Sequence, residues 1–324
     1  MTNTKTILEV DQLSKVFKVK STKLFGKPSQ LSAVNNVSFQ VHQGETVGII
    51  GESGCGKSTL GKSLLRLIEP TSGDVRYNGT SLMGLNRNEM NSLRKEINII
   101  FQDPYSSLDP RMTTGDLIAE PMKIHNIGTP QEREEKVRSL LQMVGLDYYH
   151  TIRYPHEFSG GQRQRVNIAR ALAMDVKLLV CDEPVSALDV SVQAQVLNLL
   201  KELKDRLNLT YIFISHDLSV VKYISDRIII MYLGRIMEMG NVEEIYAHPA
   251  HPYTQALFSA IPPVSPFETK EPIKLTGEIP SPLNMPPGCP FCNRCPYATA
   301  ACREELPALR EVGPDHQAAC LRCQ

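Results

Sequence analysis

ETVGIIGESGCGKSTLGKSLLRLI, residues 45–68, is the stretch whose reading decides the fold. ETVGII reads as a short buried strand, and KSTLGKSLLRLI carries the apolar spacing of an amphipathic helix. Between them GESGCGKST places Gly51, Gly56, Lys57 and Ser58 in G-x-x-x-x-G-K-[ST] spacing, a loop built to hold phosphates. Glycines let successive backbone N–H groups curl around phosphate oxygens, and the following helix N-terminus adds its positive dipole. Lys57 is expected to neutralise the β and γ phosphates and the Ser58 hydroxyl to ligate Mg²⁺, with Ser53, Gly54, Cys55 and Thr59 completing the cradle. Cys55 occupies a free position of the loop without chemistry of its own, and its alkylation is expected to block nucleotide binding.

Outward from this loop, INIIF at 97–101, KLLVC at 177–181, TYIFIS at 210–215 and RIIIMYL at 227–233 are short, near-continuous apolar runs. Strands buried on both faces look like that. QEREEKVRSLLQMVG, GQRQRVNIARALAM and SVQAQVLNLLKELKDRL have helical periodicity and separate most of them, so the sequence predicts an α/β protein with a mainly parallel sheet. The opening segments ILEVDQL and AVNNVSFQVHQ alternate only partly and read as antiparallel edge strands. KVKSTKLFGKPSQ, between them, reads as a solvated loop carrying Lys18, Lys20, Lys23 and Lys27. LLVCDEP ends an apolar strand in Asp182 and Glu183. A carboxylate at a strand tip beside a phosphate loop holds Mg²⁺, usually through water, and its neighbour activates an attacking water. Cys181 is read as a small core hydrophobe.

Composition closes off several classes. The 324 residues carry 35 Lys+Arg against 35 Asp+Glu, so no net field draws the chain to nucleic acid or to an anionic membrane. No apolar run approaches the ~18 residues of a membrane helix. The polar start MTNTKTILEVDQLSK lacks the pattern of an export signal, which sets the expectation of a cytosolic protein. The two ends differ in kind. Six of the eight cysteines lie between Cys289 and Cys323, and 12 of the 22 prolines follow Ile261. Such prolines deny that region long helices and central strands. Crowded thiols in a reducing compartment point to a metal or cluster site rather than to disulfides.

EFSGGQRQRVNIARAL, residues 157–172, resembles the signature motif of ATP-binding cassette (ABC) ATPases. FQDP with Gln102, SALD with Asp189 and IFISHD with His216 stand in that family's order, and the similarity spans at least residues 7–250. The resemblance implies a P-loop NTPase fold of the ABC ATPase type, with an antiparallel β subdomain and a helical subdomain at about 105–165. It gives Gln102 a reach to Mg²⁺ and to the attacking water. His216 would contact the γ-phosphate and hold Glu183, and Phe17 is the candidate for stacking on adenine. Ser159, Gly160, Gly161 and Gln162 would act on a neighbouring protomer's nucleotide, with Asp189 completing the nucleotide-binding set. Two such domains bind head to tail with two ATP molecules buried between them.

FQDPYSSLDPRMT, EEIYAHPAHPYTQAL at 243–257 and the cysteine-bearing end are similar to the ATPase subunits of oligopeptide and dipeptide importers, more to the second of their two paired ATPases. Relatives carrying nickel, glutathione or other small cargo remain the alternative. The implied partners are a second ATPase subunit, expected to be a paralogue, two membrane permease subunits and an extracytoplasmic peptide-binding protein, with no nucleic acid. The implied place is the cytoplasmic face of the cell membrane, held through the permease. Residues 1–255 are then the nucleotide-binding domain and 256–324 a C-terminal extension. In that group Cys289, Cys295, Cys302 and Cys320 match a C-x5-C-x6-C pattern with a distal Cys, which implies a [4Fe–4S] cluster. Cys292 and Cys323 are additional, create a competing C-x2-C-x2-C run and keep zinc open. His316 is read as a surface residue or a neighbour of the thiols rather than a ligand. The rival readings are an ABC ATPase acting on DNA or ribosomes, which would carry a second cassette or a long coiled coil, and a redox module in which the ATPase is secondary.

Overall fold

The computed structural model describes residues 5–19, 29–261, 271–278, 280–281, 283 and 285–323. The strands, in chain order, are β1 (Thr6–Val19), β2 (Ser29–His42), β3 (Thr46–Ile50), β4 (Ser72–Tyr77), β5 (Thr80–Ser81) and β6 (Ile97–Ile100). They continue as β7 (Leu178–Asp182), β8 (Thr210–Ile214), β9 (Arg227–Tyr232), β10 (Arg235–Asn241), β11 (Arg310–Gly313) and β12 (His316–Ala318). The helices are α1 (Lys57–Leu64), α2 (Arg87–Leu93), α3 (Thr114–Ile124), α4 (Pro130–Met143) and α5 (Gly160–Ala171). After them come α6 (Val190–Leu207), α7 (Leu218–Ile224), α8 (Val242–Ala247), α9 (Pro252–Ser259) and α10 (Ala301–Glu304). By contacts the chain divides into two units, Met1–Gly84 with Ser215–Gln324, and Leu85–Ile214.

In the first unit an antiparallel sheet runs β2-β1-β4-β5, and Ile7, Leu8, Val10 and Leu13 of β1 are buried. This is the antiparallel subdomain that the resemblance implies. The ladder runs further than the hydrophobic pattern did, with Phe17 opposite Leu31 and Val19 opposite Ser29. Edge pairing satisfies backbone groups whatever the side chains, so polar residues extend the strands into the expected loop. Lys18 is exposed on β1, while Lys20, Lys23 and Lys27 lie outside the described residues. A second set of strands runs β11-β12-β10-β9-β3. β3 and β9 pair in parallel, Val47 against Arg227 through Ile50 against Ile230, and all five β3 residues are buried. β9, β10, β12 and β11 continue antiparallel. The Pro-rich end supplies only the short elements α10, β11 and β12 and a 3-10 turn at Leu321–Cys323 among its described residues, as its missing N–H groups require.

The second unit holds the parallel strands β8-β7-β6, with Ile97 opposite Leu178 and Val180 opposite Ile212. β7 and β8 are buried at every position. Between β6 and β7 lies the helical insertion, α3 and α4 followed by 3-10 turns at Tyr148–Ile152 and Pro155–Glu157. α4 starts where its sequence says it should. Thr129 and Glu132 form a capping box, and Pro130 takes the first helical position, where its missing N–H costs nothing. Leu117, Ile118, Leu140, Leu141, Val166 and Ile168 fill the insertion's core.

Candidate active site

In the first unit the chain leaves β3 at Gly51 with φ 152° and enters α1 through Gly56 at φ 107°. A Cβ on Gly51 would lie 2.2 Å from the Met231 carbonyl oxygen, and one on Gly56 would lie 2.0 Å from that of Ala33. Both the dihedrals and the space exclude any side chain. The loop is anchored from outside, Gly234 N–H donating to the Cys55 carbonyl at 2.8 Å and Asn35 N–H to the Gly234 carbonyl at 2.8 Å. No side chain caps α1, so its first amides point into the loop. Lys57 is 4% exposed, and its Nζ donates to the carbonyls of Gly51 at 2.8 Å and Glu52 at 3.1 Å. The ammonium is thus held by the loop itself, at the place where phosphate charge would be met. Ser53 and Gly54 are exposed, while Ser58 and Thr59 are half-buried.

Cys55 is packed inside the loop. It is 4% exposed, lies 3.9 Å from Lys57 Nζ, and burial pushes its pKa up. A buried neutral thiol is a poor nucleophile, so Cys55 is a packing residue first. The half-buried Phe17 on β1 carries Lys15 Nζ 5.0 Å from its ring centroid. His216 is exposed just after β8, and the next residue, Asp217, caps α7 through Ser219 and Val220 N–H.

The second unit gathers the other candidates. Asp182 ends β7 at 2% exposure. Glu183 follows with φ 48°, a left-handed conformation that costs a non-glycine residue about 1–3 kcal/mol and collects at functional sites. Its N–H donates to the Ile214 carbonyl at 2.9 Å, and its Oε2 accepts from Gln102 Nε2 at 3.0 Å. Two residues singled out separately in the sequence therefore share one hydrogen bond. Ser159 is exposed at the start of α5, its hydroxyl accepting from Gln162 N–H while Gln162 Oε1 accepts from Ser159 N–H. Gly160 follows, and Gly161 admits α6, because a Cβ there would lie 2.4 Å from Val192 Cγ1. Asp189, exposed before α6, spends no side-chain bond on that helix.

In the cysteine region Cys289, Cys292, Cys295, Cys302 and Cys320 line one cavity of about 20 Å³, together with His251 and Phe291. Burial pushes the Cys289 thiol up to about 12 and raises Cys295. Burial raises Cys323 to about 11, helped by Cys320 beside it, and its Sγ donates to the Ala250 carbonyl at 3.4 Å. Soft thiols are the right donors for zinc or iron–sulfur. A space that size takes about one water, and among the described residues no three or more His, Cys, Asp or Glu are arranged to hold a metal ion. The donor chemistry suits such a group. His316 is not on the surface. It is 2% exposed on β12, its Nε2 2.6 Å from Oε1 of the fully buried Glu238, whose carboxylate also accepts from Ala250 and His251 N–H. This network pins the terminal hairpin to β10.

Sequence reading passed over Glu52, Tyr253 and Arg294. Glu52 N–H donates to Tyr253 Oη at 3.0 Å, and Arg294 Nη1 donates to Glu52 Oε2 at 2.8 Å. Glu52 fills a free position of the loop pattern and Arg294 sits inside the cysteine run, so neither carried a signal.

Residues 34–186 match the sequence pattern of the family described as ABC transporter, and residues 237–302 that of "Oligopeptide/dipeptide transporter, C-terminal region". The oligopeptide transport ATP-binding protein AppF of Bacillus subtilis is 50% identical over 321 residues, covering 98% of each chain. The chain belongs to the ATP-binding subunits of oligopeptide and dipeptide ABC transporters. The di/tripeptide transport ATP-binding protein DppF of Pseudomonas aeruginosa is 47% identical, covering 97% of each chain. Among solved structures, the dimeric, ADP- and Pi-bound ATP-binding cassette MJ0796 superposes with TM-score 0.65 at 28% identity, over 73% of this chain and 99% of its own. The protein cbiO1 from Clostridium perfringens, part of the ABC transporter complex cbiONQ, gives TM-score 0.63 at 29% identity, over 75% of this chain and 91% of its own. Membership makes this ABC transporter subunit an ATPase of the P-loop fold, with ATP as its substrate and Mg²⁺ as its cofactor.

Proposed function

We propose that this ATPase pairs around ATP with a second, paralogous ATPase subunit and powers import of oligopeptides or dipeptides through two permease subunits fed by an extracytoplasmic peptide-binding protein. The observation that carries this reading is the joining, in one chain, of a phosphate loop with a buried lysine to a C-terminal region of the oligopeptide/dipeptide type. Residues 1–255 act as the nucleotide-binding domain and 256–324 as the extension. Lys57, with the amides of residues 51–59, holds the β and γ phosphates. Glu183, oriented by Gln102, accepts the proton of the attacking water. His216 steadies the γ-phosphate, and Phe17 stacks on adenine. Ser58, Gln102 and Asp182 are the Mg²⁺ ligands, and the ion offsets phosphate charge when bound. Ser159, Gly160, Gly161, Gln162 and Asp189 serve the nucleotide held by the partner ATPase, as the dimeric structure of MJ0796 suggests.

The subunit attaches at the cytoplasmic face of the membrane through the permease; no helix among the described residues is long and apolar enough to cross a membrane. The helical insertion exposes Tyr148, Tyr149 and Ile152 on one 3-10 turn and Tyr154 just before the next, apolar surface of the kind a permease would cover. Cys289, Cys295, Cys302 and Cys320 are the proposed ligands of a [4Fe–4S] cluster, with zinc as the alternative. Such a group would cross-link a region too short to bury a core of its own. The test is reconstitution with the permeases and binding protein in liposomes. Di- and oligopeptides should accumulate and stimulate ATP turnover, whereas transport of nickel or glutathione in place of peptide would overturn the cargo assignment.

A further inference from the structure

The cysteine-bearing end is wired to the phosphate loop by one residue. Phe291 is fully buried, its ring centroid 5.4 Å from that of Tyr232 and 5.3 Å from that of Tyr253. This wedge carries Arg294 to the first variable position of the phosphate loop. Arg294 is 10% exposed and Glu52 22% exposed at their side chains, and their 2.8 Å ion pair is charge-assisted and partly desolvated. Nη1 also reaches Tyr232 Oη at 3.3 Å, while Nε is buried with no partner among the described residues. Glu52 is clasped at three points: its N–H by Tyr253 Oη, its carbonyl by Lys57 Nζ, and its carboxylate by Arg294.

A carboxylate in a loop that receives a triphosphate is out of place unless its charge is cancelled. At 4 Å two like charges repel by about 1 kcal/mol in water and by about 4 kcal/mol at a protein surface. We propose that Arg294 is a positioning residue for the phosphate loop, neutralising and fixing Glu52 so that the loop accepts the polyphosphate of ATP, and that the C-terminal end thereby sets nucleotide affinity. Arg294 lies two residues from Cys292 and next to Cys295, so whatever holds that thiol run also holds the guanidinium.

The test is titration of the full chain with a fluorescent ATP analogue at low salt. Arg294→Ala should weaken binding about tenfold by leaving Glu52 unpaired, and Arg294→Lys should stay within about threefold of the parent. Glu52→Gln alone should change affinity less than about threefold. Added to Arg294→Ala, it should restore most of the loss, which a merely structural role of Arg294 would not produce. High salt should narrow the gap between parent and Arg294→Ala. Should Arg294→Ala fail to fold, Arg294→Gln with and without Glu52→Gln reads the same rescue. Unchanged affinity in the folded arginine variant, or losses that multiply rather than cancel when Glu52→Gln is added, would overturn the proposal.

Discussion

The phosphate loop and the cysteine run are both short, irregular segments rich in special residues, yet one is built by local geometry and the other is not. Residues 51–57 set most of their own shape, with an outside anchor at Gly234: three glycines at positive φ, and a lysine bonded back to the loop's carbonyls. The cysteine run borrows its shape from elsewhere, from Tyr232 and Tyr253 around Phe291 and from the Glu238–His316 network that anchors β12. Chemistry written mainly in consecutive torsions leans little on its context; chemistry encoded in partners tens or hundreds of residues away depends on the whole fold.

The largest expected effect tests the self-contained side of that contrast. Glu183→Gln should lower ATP hydrolysis at least ~100-fold, the scale of losing a general base, while ATP binding by the phosphate loop persists. Steady-state turnover alongside nucleotide titration checks this, and near-normal turnover would remove Glu183 from the role. Next, Glu238→Ala strips three donors of their acceptor in a fully buried place and should cost about 3 kcal/mol or more, measured by urea unfolding. The hairpin β11–β12 should lose hydrogen-exchange protection before the phosphate loop does; simultaneous loss would erase the distinction drawn here.

A pH series sharpens it further. Burial holds the His251 pKa down at about 4, the Glu238 carboxylate opposing that shift. An unfolded chain protonates this histidine near pH 6.5, so between roughly 6.5 and 4 the unfolded state binds the extra proton and stability falls as pH falls. From pH 6.5 to 5 the loss from this group should be about 2 kcal/mol. His251→Gln should flatten that part of the profile, and an unaltered slope would show that another group governs it. The smallest effect concerns thiols. Cys55, buried and neutral, should react with iodoacetamide far more slowly than the partly exposed Cys302 in the same native sample, read by mass spectrometry. Rapid labelling of Cys55 would mean that the loop opens readily. Anaerobic purification with iron and sulfide analysis decides whether the cysteine run gains a partner that the polypeptide alone does not supply.

Much of the site was legible because each piece advertises a local requirement. A strand, a glycine turn and a helix must follow in that order for amides to converge on phosphate, and a carboxylate pair must end a second buried strand; GESGCGKST and LLVCDEP state both. Helix starts such as Thr129–Pro130–Glu132 and Ser159–Gln162 were equally open to reading, since caps act within three residues. The Gln102–Glu183 bond was not, because it joins residues 81 apart. Nor was the burial of His316, whose partner lies 78 residues away, or the reach of Arg294 to Glu52 across 242.

By itself the sequence determined which torsions, runs and donors this protein has: the phosphate loop, the buried strands, the carboxylate pair, the thiol-rich end, and through them the family. Tertiary structure alone decided who meets whom. It put Gln102 on Glu183, turned an apparent surface histidine into a buried anchor, sealed Cys55 into the loop and laid Arg294 on Glu52. The reason is that backbone preferences act over a few residues and are written in order along the chain. Pairing of charges across long separations is settled only when hydrophobic burial has fixed the distances at which those charges meet.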